Sequence, residues 1–108
     1  MDTKTLIFSF TAAIQNKNIV LVRFQSKADN QVLLRKCAPL DIAPSRRTKS
    51  KVFKFHLWDY NNQHNLSLEI SQILDVKITA ERFTPEEVIN WNHTKYSWFV
   101  VRDWGAYS

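Results

Sequence analysis

Along the first sixteen positions apolar residues return at four-residue spacing: Leu6, Phe10 and Ile14, with Ile7 and Ala13 beside them. That period belongs to an amphipathic helix, and Asp2 or Thr3 offers a side-chain oxygen to cap its first turn, so the pattern predicts a helix from Thr3 to about Asn16. After Asn16-Lys17-Asn18 the period changes to two. Ile19 to Gln25 is β-branched and aromatic, places Val20, Val22 and Phe24 on one face, and reads as a strand. Ala28-Asp29-Asn30 supplies a turn without glycine, because Asp and Asn tolerate left-handed backbone better than other residues. A hairpin partner follows over Gln31 to Ala38. Pro39 and Pro44 then bracket a connection, and the polar run Ser45 to Ser50 reads as a basic loop.

The alternation is clearest from Lys51 to Tyr60, with Phe53, Phe55 and Leu57 on one side and Lys54, His56, Trp58 and Tyr60 on the other. Asn61-Asn62-Gln63-His64 is turn chemistry. Further strands are expected over Asn65 to Ile70 and Ile73 to Ile78. Thr84-Pro85-Glu86-Glu87 joins a capping hydroxyl, a proline at the first helical position and acids in the first turn, which predicts a short helix to about Trp91. Tyr96 to Arg102 reads as a last strand. Five short strands after the first helix, followed by this tail strand, need their edges covered, and a bent barrel does so economically at this length. The expected fold class is therefore α+β: a small SH3-like or Sm-like antiparallel β-barrel with an N-terminal helix over one open end and a short C-terminal helix. An open antiparallel sheet backed by two helices satisfies the same periodicity.

Composition narrows the chemistry. The 108 residues suit a single domain, 1–108, and are 44% hydrophobic and 23% charged. The lone glycine, Gly105, excludes the glycine-rich phosphate loops and the strained nucleophile elbow. Cys37 has no partner for a disulfide, and the Cys and His spacings form no zinc motif, so neither metal nor cofactor is expected. His56 and His64 would give two ligands if the intervening turn brought them together, and two do not close a structural zinc site. Glu86 and Glu87 are explained by the helix dipole rather than as an acid/base pair. No basic segment followed by an apolar run opens the chain, and no stretch approaches 18 apolar residues, so a cytoplasmic protein without a membrane partner is expected.

The net charge of +5 is local. Residues 27–60 hold Lys27, Arg35, Lys36, Arg46, Arg47, Lys49, Lys51 and Lys54 against Asp29, Asp41 and Asp59, whereas residues 61–108 carry more acids than bases. Such a patch suits an anionic partner, and it is also what a solvated loop looks like.

Several segments carry a family likeness. Ala13-Ile14-Gln15-Asn16-Lys17-Asn18-Ile19-Val20 leads from a helix into the first strand. Arg35-Lys36-Cys37-Ala38-Pro39-Leu40 forms an arginine-to-proline stretch, and Phe53-Lys54-Phe55-His56-Leu57-Trp58-Asp59 an aromatic strand closed by an acid. Leu66-Ser67-Leu68-Glu69-Ile70-Ser71-Gln72-Ile73 and Glu81-Arg82-Phe83 follow. Together they resemble the WYL domain, a bacterial Sm-like or SH3-like barrel often appended to helix-turn-helix regulators. The resemblance covers about residues 6–83 and leaves 84–108 as an aromatic extension. The name-giving Trp-Tyr-Leu tripeptide is absent, and Ser67 and Gln72 stand where the family places arginines. The resemblance implies a free-standing regulatory domain that senses nucleic-acid-derived ligands and serves transcription or another effector.

Two functional readings follow. In the first, a non-enzymatic domain binds nucleic acid or an anionic nucleotide ligand through Arg46, Arg47, Lys49, Lys51 and Lys54. Arginine presents a planar fork to phosphate, and His56, Trp58 and Tyr60 on the adjoining strand face would stack bases. The bland alternative leaves His56 and Trp58 half-buried under the N-terminal helix and the loop merely solvated. In the second reading the aromatic tail, through Trp98, Arg102 and Trp104, builds a homodimer or docks on a partner protein. Its alternative is a tail that folds back to complete the core.

Overall fold

The computed structural model describes residues 2–44, 52–89 and 98–108. Helix α1 (Thr3–Asn16) is followed by β1 (Asn18–Ser26), β2 (Gln31–Pro44), β3 (Phe53–Asp59), β4 (His64–Glu69), β5 (Ile73–Arg82) and the single-turn helix α2 (Pro85–Val88). α1 begins and ends for local reasons. The Asp2 carboxylate accepts from the Thr5 N–H at 2.8 Å, and Lys17 adopts left-handed backbone at φ 58°, returning its N–H to the last carbonyls. Asn30 and Gln63 make the same left-handed excursion, φ 50° and 53°, at the two hairpin turns.

All strand pairs are antiparallel, in the order β4-β3-β2-β1-β5. The strand β2 is longer than its sequence suggests. It continues through Pro39 to Pro44, because residues 31–37 pair with β1 while residues 37–44 pair with β3. Proline's missing N–H costs little in a half-strand with one strand neighbour, and Leu40 is an extra residue bulged opposite Leu57. The architecture is thus a small α+β domain built on a five-strand antiparallel sheet and a helix. Among the described residues no ladder closes β4 onto β5. A three-residue 3-10 turn, Ile70–Gln72, links these two edges. Gln72 ties it down, its Oε1 accepting from the Glu69 N–H and its Nε2 donating to the Gln25 carbonyl, both at 3.0 Å.

The core lies where α1 meets the sheet. Leu6, Phe10, Ala13 and Ile14 form the helix stripe, and Phe10 packs on Phe55 of β3 with ring centroids 4.5 Å apart. Val20, Val22, Leu57 and Leu68 complete the sheet side. Where β5 bulges against β1, the Thr79 hydroxyl donates to the Ile19 carbonyl at 2.7 Å, so the irregularity leaves that acceptor satisfied.

The C-terminal expectations need correction. The helix expected from Thr84 to about Trp91 covers Pro85–Val88, with Ile89 already extended; residues 90–97 lie outside the described residues, and a further 3-10 turn stands at Gly105–Tyr107. Residues 98–102 form no strand; they run over β2 instead, held to it through Asp41.

Cys37 lies fully buried in β2, and burial first, then the charge of Asp59, pushes its thiol up to about 12. The native protein should therefore not react with a thiol-specific disulfide reagent at pH 8, where an exposed thiol reacts readily, and should yield one equivalent on unfolding. Labelling with and without denaturant checks this. Stoichiometric native reaction within minutes would contradict the buried placement.

Candidate functional site

The outward face of β3 carries Lys54, His56 and Trp58 in alternation. Residues opposite each other in a ladder share a face, so β2 adds Ala38, Asp41 and Ala43 to it and β4 adds Asn65, Ser67 and Glu69. His56 is fixed at both ring nitrogens. Nε2 lies 2.8 Å from the Ala43 carbonyl, which accepts only, and Nδ1 lies 2.9 Å from the Ser67 hydroxyl. Nε2 thus donates to Ala43, and the Ser67 hydroxyl, able to donate or accept, satisfies Nδ1. His56 therefore fastens three strands rather than offering a free base. Its ladder partner is Ser67, whereas His64 faces Asp59, so the turn does not bring the two histidines together. Among the described residues no cluster of His, Cys, Asp and Glu could hold a metal.

Lys54 faces Glu69, which also takes the Lys27 ammonium at 2.9 Å; the Lys27 bond and charge, then Lys54, hold the Glu69 carboxyl below its usual value. Trp58 is half-buried against the core. Tyr60 leaves the row. Its phenol sits among Lys36, Glu81 and Glu87, and burial first, then Glu87, pushes it up to about 12. Lys36 Nζ lies 5.7 Å from its ring centroid and 2.7 Å from Glu81. The Tyr60 hydroxyl is buried without a hydrogen-bond partner. The expected stacking pair is thus split between two environments. Arg46, Arg47, Lys49 and Lys51 lie outside the described residues. One exposed ring does stand close to them in the sequence: Phe53, 48% exposed, meets Phe99 of the tail, 57% exposed, edge to face at 6.0 Å. Phe53 reads as a core position by alternation. It stands at the start of β3, outside the buried cluster, and that end effect is the signal that sequence periodicity overlooks.

The tail residues Trp98, Arg102 and Trp104 are turned inward. Arg102 is buried with its guanidinium carbon 4.1 Å from the Trp98 ring centroid and 4.4 Å from that of Trp104. It donates to the Asp41 carboxylate at 3.2 Å, to the Val100 carbonyl at 3.1 Å and to the Leu40 carbonyl. Asp41 also accepts the backbone N–H groups of Phe99 and Val100, at 3.1 and 2.9 Å. Burial lowers the Arg102 pKa to about 10, with Asp41 opposing, which leaves it charged at neutral pH. Trp104 packs edge-on to Phe83 and donates from Nε1 to the Ile14 carbonyl of α1 at 3.0 Å. Trp98 donates to the Tyr107 carbonyl at 2.9 Å. The large apolar side chains that the tail leaves exposed are Phe99 and Val101, whereas Arg102 and Trp104 are buried and Trp98 is half-buried. Asp41 drew no attention in the sequence beyond its charge, although an acid within the apolar run from Ala38 to Ala43 is itself a sign of a buried partner.

No family model matches the chain, and no curated protein matches it. One solved structure does. Proteasome accessory factor B/C (PafBC) of Arthrobacter aurescens superposes with a TM-score of 0.66 at 11% identity, over 82% of this chain and 13% of that one. The chain thus spans a small part of that protein's length, and at this identity the likeness concerns the fold.

The Asp41–Arg102 pair should be the costliest polar feature to break. Asp41→Ala should lower unfolding free energy by about 3–5 kcal/mol, because it strands a buried guanidinium, and adding Arg102→Met should recover part of the loss. Urea titration followed by tryptophan fluorescence reads both; a cost below about 1 kcal/mol would show the pair to be solvated.

Proposed function

We propose that this chain is a non-enzymatic regulatory domain of WYL type, with the bent sheet of an SH3-like or Sm-like barrel, that binds nucleic acid or a nucleotide-derived anionic ligand. The observation that carries the reading is the fold likeness to PafBC, taken together with the segments of this sequence that resemble the WYL domain. Charge supports it. The eight residues joining Pro44 to Phe53 include Arg46, Arg47, Lys49 and Lys51 and no acid. Pro44 and Phe53 pair across the β2–β3 ladder, so both ends of this connection are anchored at one place. Phosphates would meet these cations and Lys54, while the exposed Phe53 and Phe99 rings offer the nearest stacking surface. His56 acts by holding β3 in place, and Trp58 is half-buried.

A second reading, a module that docks on another protein, is favoured by Val101, 83% exposed beside Phe99. Fluorescence anisotropy with single-stranded oligonucleotides across a salt series separates the two. The first reading expects micromolar affinity that falls linearly in log salt. The triple variant Arg46→Ala, Arg47→Ala, Lys49→Ala should then flatten the slope by up to about 2, roughly 0.7 for each phosphate that is no longer neutralised. Val101→Asp should leave this binding unchanged. No binding at low salt would discard the nucleic-acid reading.

A further inference from the structure

The strand β5 stands at the end of the sheet with β1 as its one strand neighbour among the described residues, and seven of its ten residues are exposed. Two of the seven are large and apolar, Leu74 at 42% and Ile78 at 40%. A long exposed edge of this kind is a template for another strand, and proteins that leave one bare usually blunt it with proline or several lysines. The strand carries no proline and one lysine, Lys77. Its one protective device against β1 is irregular register, with Leu74 bulged between the pairs Phe24–Ile73 and Arg23–Asp75.

The order of residues on this edge is self-complementary. Run antiparallel to itself about a two-fold axis at Val76, the strand sets Asp75 opposite Lys77, Leu74 opposite Ile78 and Ile73 opposite Thr79. Each pair occurs twice, as in any isologous contact. Asp75 and Lys77 lie on the outward sheet face, since their β1 partners are Arg23 and Leu21, while Ile78 and Val76 face Val20 and Val22. A register centred on Thr79 would instead match Lys77 with Glu81 but set Ile78 against Ala80, leaving Leu74 without an apolar partner. The Val76 register alone of the two covers both exposed apolar side chains and neutralises both charges.

We propose that β5 is a homodimer interface, in which two copies of this chain join their sheets edge to edge through an antiparallel β5–β5 ladder centred on Val76. This assigns association to a different surface from the aromatic tail, and it holds whether or not the domain binds nucleic acid.

Sedimentation velocity on the full chain over a concentration series tests it, with circular dichroism melting to check the fold. The expected result is a monomer–dimer equilibrium that Asp75→Lys and Lys77→Asp each weaken roughly tenfold or more, because each sets like charges opposite one another twice. The double swap should restore dimerisation. Asp75→Lys also faces Arg23 within the chain; if it lowers the melting temperature, Lys77→Asp, which faces Leu21, decides the matter. Val101→Asp should leave the dimer intact. A monomer at every concentration, a dimer indifferent to both single swaps, a double swap that fails to restore it, or loss on Val101→Asp would each overturn the proposal.

Discussion

The fold depends on one constraint: the second half of β2 has a ladder partner on one side only, and something else must satisfy its open side. That half departs from β1 after Cys37 and, among the described residues, has backbone groups on one side without a ladder partner, in a largely buried setting. The Asp41 carboxylate and the Arg102 guanidinium resolve this together. Arg102 reaches the Leu40 carbonyl, and Asp41 takes two backbone N–H groups from the tail, so the C-terminal segment stands in for the missing strand through side chains rather than through a ladder. The stacking of Arg102 on two indoles offsets part of the cost of burying its charge. Trp104 then carries the tail on to α1, so the helix, β2 and the C-terminus are held by one connected set of contacts.

Much of the framework was readable from periodicity. The limits of α1, the two hairpin turns and the alternation in β3 follow from local spacing and turn chemistry, which depend on neighbours in sequence. What escaped depends on neighbours in space. Pro39 looks like an interruption unless one knows that β2 exchanges its partner there. Phe53 and Phe55 share a face in alternation, yet α1 reaches only Phe55. Tyr60 shares the parity of His56 and Trp58, but it lies beyond the end of the strand, where parity no longer fixes direction. The tail residues were recognised as a group by their composition. Their inward orientation follows from Asp41, an acid 61 residues away from Arg102.

Ser67 and Gln72 are spent on holding the sheet together. Both are uncharged residues with structural bonds, Ser67 to His56 and Gln72 to the ends of β1 and β4. On the proposed reading, an anionic ligand would find its positive charge in the cation-rich sequence between β2 and β3 rather than at these two residues.

Among the described residues, left-handed backbone is adopted by Lys17, Asn30 and Gln63, while the single glycine, Gly105, takes the same region near the end. A side chain at such a position costs about 1–2 kcal/mol in the native state relative to right-handed backbone. The same choice narrows the wandering of the chain before it folds, because glycine would have given the unfolded ensemble its widest freedom at these points. Strain in the finished turns is therefore coupled to stiffness in the searching chain, and a glycine introduced at Lys17 or Gln63 would relax the first while loosening the second.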